Sequence, residues 1–203
     1  MPTVLLERQP KLGLRAAGTL MSPAEYDAVE RWDDRYRYEL IHGVLVVTAL
    51  PSPSETGPNE ALGFMLAAYK VEHPGVLDAT LPEQIVRTPQ SRRRADRLIW
   101  VGLGRMPNVK GDVPAIAVEF VSTSKRDRRR DYEEKRREYL GLGIREYWII
   151  DRFRRIMTVL RAGRKDKVIR ETQRYATRLL PGFKLPLAEL LATADAWAQS
   201  QSG

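Results

Sequence analysis

Cysteine is absent from the 203-residue sequence, and histidine occurs only at His42 and His73. A chain without cysteine forms no disulfide, no thiolate zinc site and no cysteine nucleophile, and two histidines do not favour a histidine-rich metal site. Long apolar runs are also missing, and the N-terminal sequence MPTVLLERQPKLGLR is too charged for a signal peptide. We therefore expect a cytoplasmic chain with no membrane partner, in which any metal would be held by carboxylates.

Acidic residues are fewer than basic ones, so the formal net charge is +8 and the pI is about 9.9. Such an excess favours a polyanionic partner, with DNA as the leading candidate, although a solvated arginine-rich surface is the plain alternative. The basic residues expected to contact phosphates are Arg92, Arg93, Arg94, Lys125, Arg126, Arg128, Arg129 and Arg130.

One carboxylate interrupts an apolar strand-like run at residues 115–121, where Glu119 lies between Val118 and Phe120. A buried ionised carboxylate is costly unless it is paired, hydrogen-bonded or bound to a metal. Glu119 therefore has either a functional role or a structural ion pair, and the pattern leaves both open. Ser122, which follows the run, either caps the next helix or hydrogen-bonds a metal-bound water.

The order of periodic segments predicts an α/β fold with a central mixed sheet flanked by helices. The pattern predicts helices over 23–32, 54–71, 126–141 and 186–192, and strands over 37–41, 44–48, 76–79, 84–87, 95–101, 115–121, 146–151, 155–161 and 168–169. The length favours one domain over 19–192, with a loose N-terminal arm over 1–18 and a frayed tail over 193–203.

Two carboxylates and one ammonium come from neighbouring predicted elements, namely Asp96, Glu119 and Lys135. Mg²⁺ prefers hard oxygen ligands and needs only one or two protein carboxylates beside waters and phosphate. The set therefore suits a metal-dependent phosphodiesterase. The alternative for Lys135 is an ordinary helix ion pair with Asp131, four residues earlier.

Seven short segments follow one another along the chain: MSPAEY at 21–26, YELIHG at 38–43, AD at 95–96, VEFVS at 118–122, residues 131–139, REYWIID at 145–151 and LPL at 185–187. In this order they resemble the Uma-type family of proposed endonucleases, within the PD-(D/E)XK nuclease superfamily. The resemblance implies a restriction-endonuclease-like core over 19–192, with Asp96 and Glu119 as ligands of Mg²⁺ or Mn²⁺.

Two positions depart from the superfamily pattern: Ala95 stands where proline is usual, and Val121 stands where the motif has lysine. An apolar valine cannot position a water, whereas the resemblance places the family's displaced lysine at Lys135. Glu39 matches a family glutamate and would either assist the metal site or pair with an arginine such as Arg37 or Arg145. Asp131, on the same helix face as Lys135, would support it.

The sequence thus predicts a metal-dependent DNA endonuclease that hydrolyses phosphodiester bonds. A catalytically inactive nucleic-acid-binding module of the same fold is the first alternative, and a regulatory protein that binds an acidic partner is the second. The helix at 54–72 could support a homodimer. Replacing Lys135 with alanine is expected to abolish cleavage with stability nearly unchanged.

Overall fold

A mixed β-sheet with flanking helices organises the chain in the computed structural model, which describes residues 11–121 and 130–200, without the side chains of residues 130 and 131. The helices are α1 (Pro23–Asp27), α2 (Pro53–Glu72), α3 (Lys135–Leu142) and α4 (Leu187–Ser200), with a 3-10 turn at Leu14–Ala16 and a π-helical turn at Arg130–Glu134. The strands are β1 (Tyr36–Ile41), β2 (Val44–Ala49), β3 (Leu77–Arg87), β4 (Arg92–Val101), β5 (Ile116–Phe120), β6 (Glu146–Asp151), β7 (Ile156–Leu160), β8 (Lys167–Arg170), β9 (Arg174–Ala176) and β10 (Lys184–Pro186).

The chain divides into two compact units, and the smaller one comprises the described parts of 1–50 with 87–93. Its predicted hairpin is present, because β1 and β2 pair antiparallel around His42 and Gly43, which both have positive φ. Such a two-residue turn matches the right-handed twist of the strands. Leu40 of β1 lies opposite Arg92, the first residue of β4.

The larger unit comprises 51–86 and 94–203, and its sheet has the order β4-β5-β6-β7-β8 with β3 also paired to β4. β5 and β6 are parallel, whereas β4–β5, β6–β7 and β7–β8 are antiparallel. Alternate residues of each strand face two apolar layers. One layer packs against α2 and α4, and the other contains Tyr139 of α3 together with Ala117 and Ile149.

Several boundaries differ from the prediction. The first helix begins as predicted, with the Ser22 and Glu25 side chains forming a capping box, but it ends at Asp27. Beyond it, Trp32 forms a β-bridge with Leu12, which also orders part of the predicted arm. The two short strands predicted over 76–79 and 84–87 are one strand, β3, and α4 continues through Ser200, past the start of the predicted tail.

No helix in the parts of the chain that the structure describes is long and apolar enough to cross a bilayer.

A buried polar contact joins α2 to β4. The Arg97 guanidinium donates to the side-chain oxygen of Asn59 at 2.7 Å and to its backbone carbonyl at 2.9 Å. Asn59 in turn donates to the backbone carbonyl of Asp96 at 2.7 Å. The guanidinium lies against Gly63, and a Cβ added there would come within 2.6 Å of an Arg97 nitrogen. α2 therefore supports the strand that carries Asp96.

We expect Gly63→Ala to lower the free energy of unfolding by about 1–3 kcal/mol, because the added methyl displaces a buried guanidinium from its acceptors. Gly141→Ala is the matched control, since no atom lies within 4 Å of its added Cβ. Alanine is the better helix former, so the control should gain about 0.5–1 kcal/mol. Urea unfolding measures both changes, and equal stabilisation by the two substitutions would contradict the proposed contact.

Candidate active site

The register of β4 and β5 brings the two predicted carboxylates together. Arg97 lies opposite Val118, so Asp96 and Glu119 form the next opposed pair along the two strands. Directly opposed residues project their side chains to the same face of a sheet. Asp96 is partly exposed, whereas Glu119 is only 4% exposed. The two carboxylates therefore lie on adjacent strands and on one face.

Lys135 contacts this pair of strands from α3. Its Nζ lies 2.8 Å from Oε1 of Glu119 and donates to the backbone carbonyl of Arg94 at 3.0 Å. The Lys135 and Glu119 side chains are 2% and 5% exposed. Two opposite charges this deeply buried are stable only because each has the other as a close, hydrogen-bonded partner.

Tyr139, one turn after Lys135, completes the contacts of Glu119. Its hydroxyl donates to Oε1 of Glu119 at 3.2 Å, and its ring packs edge-to-face on Tyr147 at a centroid distance of 5.1 Å. The four-residue spacing places Lys135 and Tyr139 on one helix face. Sequence reasoning did not identify this hydrogen bond to the carboxylate.

The helix that carries these residues follows a π-helical turn and ends at a glycine. The π-helical turn Arg130–Glu134 leads directly into Lys135, and Gly143 ends the helix in the left-handed region at φ 99°. π-helical turns occur frequently at functional sites, because the wider turn re-aims the side chains beside it. Tyr132 lies within this turn, and burial raises the pKa of its phenol.

The Asp96 carboxylate is fixed from the strand beside it. Its Oδ2 accepts a hydrogen bond from the backbone amide of Phe120 at 2.7 Å. Arg97, the next residue, projects to the opposite face toward Asn59, and burial lowers the pKa of its guanidinium. Asp96 is thus held at both its side chain and its backbone.

The donor set fits a divalent ion of the Mg²⁺ type. Asp96 and Glu119 offer carboxylate oxygens from adjacent strands, and Mg²⁺ commonly uses one or two carboxylates and completes its shell with water and phosphate. Among residues 11–121 and 130–200, no group of three or more histidine, cysteine, aspartate or glutamate residues is arranged to hold a metal. Within the described part of the chain, we therefore consider only these two carboxylates as ligands. Val121, at the position of the motif lysine, is 2% exposed and apolar.

The other predicted residues fall in different places. Glu39 belongs to the smaller unit, where it is 7% exposed and opposite Val46 in the hairpin. Ser122, Lys125, Arg126, Arg128 and Arg129 lie outside the described residues, as do the side chains of Arg130 and Asp131. The roles predicted for these residues stay predictions.

Burial argues against phosphate contacts by two of the predicted arginines. Arg92 is 9% exposed, and its guanidinium forms a salt bridge with Asp27 at 2.7 Å and donates to the carbonyl of Thr88 at 2.9 Å. Arg93 is fully buried. A guanidinium enclosed by the protein is poorly placed to contact a DNA backbone, so burial counts against the predicted phosphate contacts of Arg92 and Arg93. Arg94 is partly exposed and donates to the carbonyl of Glu83 at 2.7 Å.

A further buried carboxylate, not identified from the sequence, ends β6. Asp151 is fully buried, and its Oδ1 accepts from the backbone amides of Phe153 and Arg154 at 3.0 Å each. Its Oδ2 has no hydrogen-bond partner within the described residues. The continued β5–β6 register puts Asp151 beside Val121, on the face that carries Glu119. Its position at the end of the apolar segment REYWIID was the sequence signal that could have identified it as a candidate site residue.

Comparison with known proteins gives two matches of different kinds. The sequence model of the Uma2 family, described as "Putative restriction endonuclease", matches residues 23–188. A crystal structure from Anabaena variabilis, described as "a putative nuclease belonging to DUF820", superposes with a TM-score of 0.71 and 13% identity, covering 86% of this chain and 99% of that one. At 13% identity, this similarity shows that the two proteins share a fold. No protein with a curated description matches the chain.

The buried pair corrects the prediction that a Lys135 substitution leaves stability unchanged. Lys135→Met removes the ammonium and leaves the Glu119 carboxylate buried without its counter-charge, which should cost about 3–5 kcal/mol of unfolding free energy. Lys135→Met combined with Glu119→Leu replaces both charges with apolar groups and should recover most of that loss. Urea unfolding of the single and double variants measures the difference. Exposed Lys165→Met is the control, with an expected change within about 0.5 kcal/mol.

Proposed function

Because the chain belongs to the Uma2 family of restriction-endonuclease-like proteins, we propose that it is a metal-dependent DNA endonuclease that hydrolyses phosphodiester bonds. One observation carries the proposal. The Lys135 ammonium lies 2.8 Å from a carboxylate oxygen of Glu119, on the strand adjacent to Asp96 and on the same face of the sheet. Two carboxylates and one lysine converge there from three different elements.

Asp96 and Glu119 are the residues that would hold the metal, with Mg²⁺ or Mn²⁺ as the proposed ion. Such an ion, when bound, would supply positive charge to the phosphate and lower the pKa of a coordinated water. The protein holds both carboxylates in place for this role. The Phe120 amide fixes Asp96, and the Tyr139 hydroxyl and Lys135 ammonium fix Glu119.

Lys135 would stabilise negative charge at the reacting phosphate. Its ammonium is buried, so its field is weakly screened and acts strongly on a phosphate oxygen or a water beside Glu119. The short contact with Glu119 also places this positive charge directly beside a proposed metal ligand. The motif lysine is replaced by Val121, which has no charged group. The position of Lys135 supports the proposal that α3 supplies the missing ammonium.

A binding module without catalysis is the second candidate, and a specific observation favours it. Oε1 of Glu119 already accepts from Lys135 and Tyr139, and Oδ2 of Asp96 accepts from Phe120. Carboxylate oxygens that already accept hydrogen bonds within the protein could stabilise the fold without binding a metal. Cleavage of DNA with Mg²⁺ present separates the two candidates.

We expect the parent protein to nick or linearise supercoiled plasmid in the presence of Mg²⁺ or Mn²⁺. Asp96→Asn and Glu119→Gln should each lower the cleavage rate by 100-fold or more, which corresponds to about 3 kcal/mol of lost transition-state stabilisation. Glu119→Gln also leaves Lys135 buried without its counter-charge, so its rate is compared at a temperature at which urea unfolding shows the variant to be folded. DNA affinity measured without metal should stay near that of the parent. Glu189→Gln, at an exposed position of α4, is the control. Full activity in both site variants would exclude the proposed ligands.

Self-association through α2 also belongs to the proposal. On its solvent side, Phe64 is 76% exposed and Val71 is 83% exposed, with Ala67 and Ala68 between them. These residues follow one another at helical spacing, so a second copy could cover the stripe by symmetric packing of two α2 helices. A cytoplasmic location stays a prediction from the charged N-terminal sequence.

Phe64→Ser should weaken this association, because it removes the largest apolar side chain of the stripe. Light scattering coupled to size-exclusion chromatography, run over a range of protein concentrations, measures the change. Met106→Ser, at a loop position that is 72% exposed, is the matched control and should associate as the parent does. A parent that stays monomeric at the highest soluble concentration would rule out the homodimer.

A further inference from the structure

The positive charge of this protein is concentrated in one continuous segment, residues 152–178. This segment contains ten arginine or lysine residues and two acidic residues, so its net charge of +8 equals that of the whole chain. The remaining residues are formally neutral in sum. A local surplus of this size creates a local positive field that attracts a polyanion.

Both acidic residues of the segment already have arginine partners. Asp166 pairs with Arg136 of α3 at 2.7 Å, and Glu171 pairs with Arg155, which also contacts Asp195 at 2.6 Å. Within the described residues, eight basic side chains of the segment have no ion-pair partner. They are Arg152, Arg154, Arg164, Lys165, Lys167, Arg170, Arg174 and Arg178, and all but Arg152 are classed as exposed.

Two of these arginines lie at the sheet end that carries the candidate active site. Opposed residues run across four strands from Glu119 through Ile149 and Thr158 to Val168. Arg170 lies two residues beyond Val168 on β8, so it shares the face of Glu119, and Arg154 lies in the β6–β7 turn at the same strand end. Arg164 and Lys165 lie in the β7–β8 connection, at the opposite end.

The distance from β5 to β8 corresponds to a few nucleotides of duplex DNA. Three strand-to-strand steps span roughly 14 Å. Along the axis of a DNA duplex, the phosphates of one strand rise by about 3.4 Å per nucleotide. A duplex whose axis runs across these strands therefore covers that distance with roughly four nucleotides. A duplex with its scissile phosphate at Glu119 would therefore carry further phosphates past the end of β8.

We propose that Arg154 and Arg170 bind backbone phosphates of the same DNA duplex that the site at Glu119 cleaves, roughly four nucleotides from the scissile bond. This inference rests on the proposed endonuclease function. Arginine suits the role because its planar guanidinium donates two parallel hydrogen bonds to one phosphate. These contacts position the duplex and read no sequence.

Charged residues on an edge strand also have a simpler use, because they discourage pairing with other chains. β8 ends the strand order of its sheet, so this alternative applies here. The two roles differ in a measurable way. Phosphate binding releases counterions and depends steeply on salt, whereas protection of an edge does not.

The test compares Arg154→Gln/Arg170→Gln with Arg164→Gln/Lys165→Gln, which removes the same charge from the same segment at the other strand end. Fluorescence anisotropy gives the affinity for a labelled duplex in EDTA as a function of salt concentration. The first variant should lower the slope of log affinity against log salt by about 2. Between 50 and 200 mM salt, the parent should then lose roughly tenfold more affinity than this variant does. The control should keep the slope of the parent, and both variants should unfold at the urea concentration of the parent.

An unchanged slope in Arg154→Gln/Arg170→Gln overturns the inference, and so does an equal fall in the control, because either result removes the link to the site. A parent that binds no duplex DNA, or binds only duplex RNA, overturns it as well. The outcome is separable from the proposed function. Cleavage by the parent with an unchanged slope removes only the phosphate contacts, whereas the expected slopes without cleavage leave these contacts standing and remove the catalytic role.

Discussion

The buried ion pair between Lys135 and Glu119 is the interaction on which the candidate site depends. Neither charge is tolerable alone at this depth, since removing one partner leaves the other desolvated and uncompensated. The pair therefore requires that α3 and β5 stay together, with Lys135 almost fully enclosed. It joins α3 to the sheet, and it places an ammonium beside a carboxylate of the proposed metal site.

The surrounding contacts hold this pair in one geometry. Tyr139 donates to Glu119 from the same helix face, and Asn59 and Arg97 support the backbone of Asp96 from the other face of the sheet. α3 thus holds the Glu119 carboxylate, and α2 holds the backbone of Asp96. Pre-organisation of this kind is what electrostatic catalysis needs, because the groups do not have to rearrange during the reaction.

The same residues serve stability and the proposed chemistry, which makes the two hard to separate by deletion alone. A lysine buried against a glutamate is also what a purely structural pair looks like. The distribution of charge is a more independent guide. Arg92 and Arg93 lie inside the protein, whereas the exposed surplus lies on β7–β9 and their turns, with Arg170 on the face of Glu119.

Local sequence signals were enough for the elements with short-range causes. The start of α1, the two strands on either side of His42 and Gly43, and the apolar run around Glu119 were all predicted. The mixed sheet flanked by helices follows from the order of such elements. The C-terminal end of α1 and the joining of two short strands into β3 were not predicted, because both depend on contacts with residues that are distant in the sequence. Trp32 leaves the helix to bridge with Leu12.

The sequence by itself determined which groups are available: a chain without cysteine, poor in histidine, with Asp96, Glu119 and Lys135 on elements of recognisable type. Only the tertiary structure decided which groups meet. Strand register set Asp96 opposite Glu119, and burial removed Arg92 and Arg93 from the surface while leaving Arg154 and Arg170 on it. The reason is physical, since propensity and periodicity act over a few residues, whereas desolvation and charge pairing depend on neighbours that are distant in the chain.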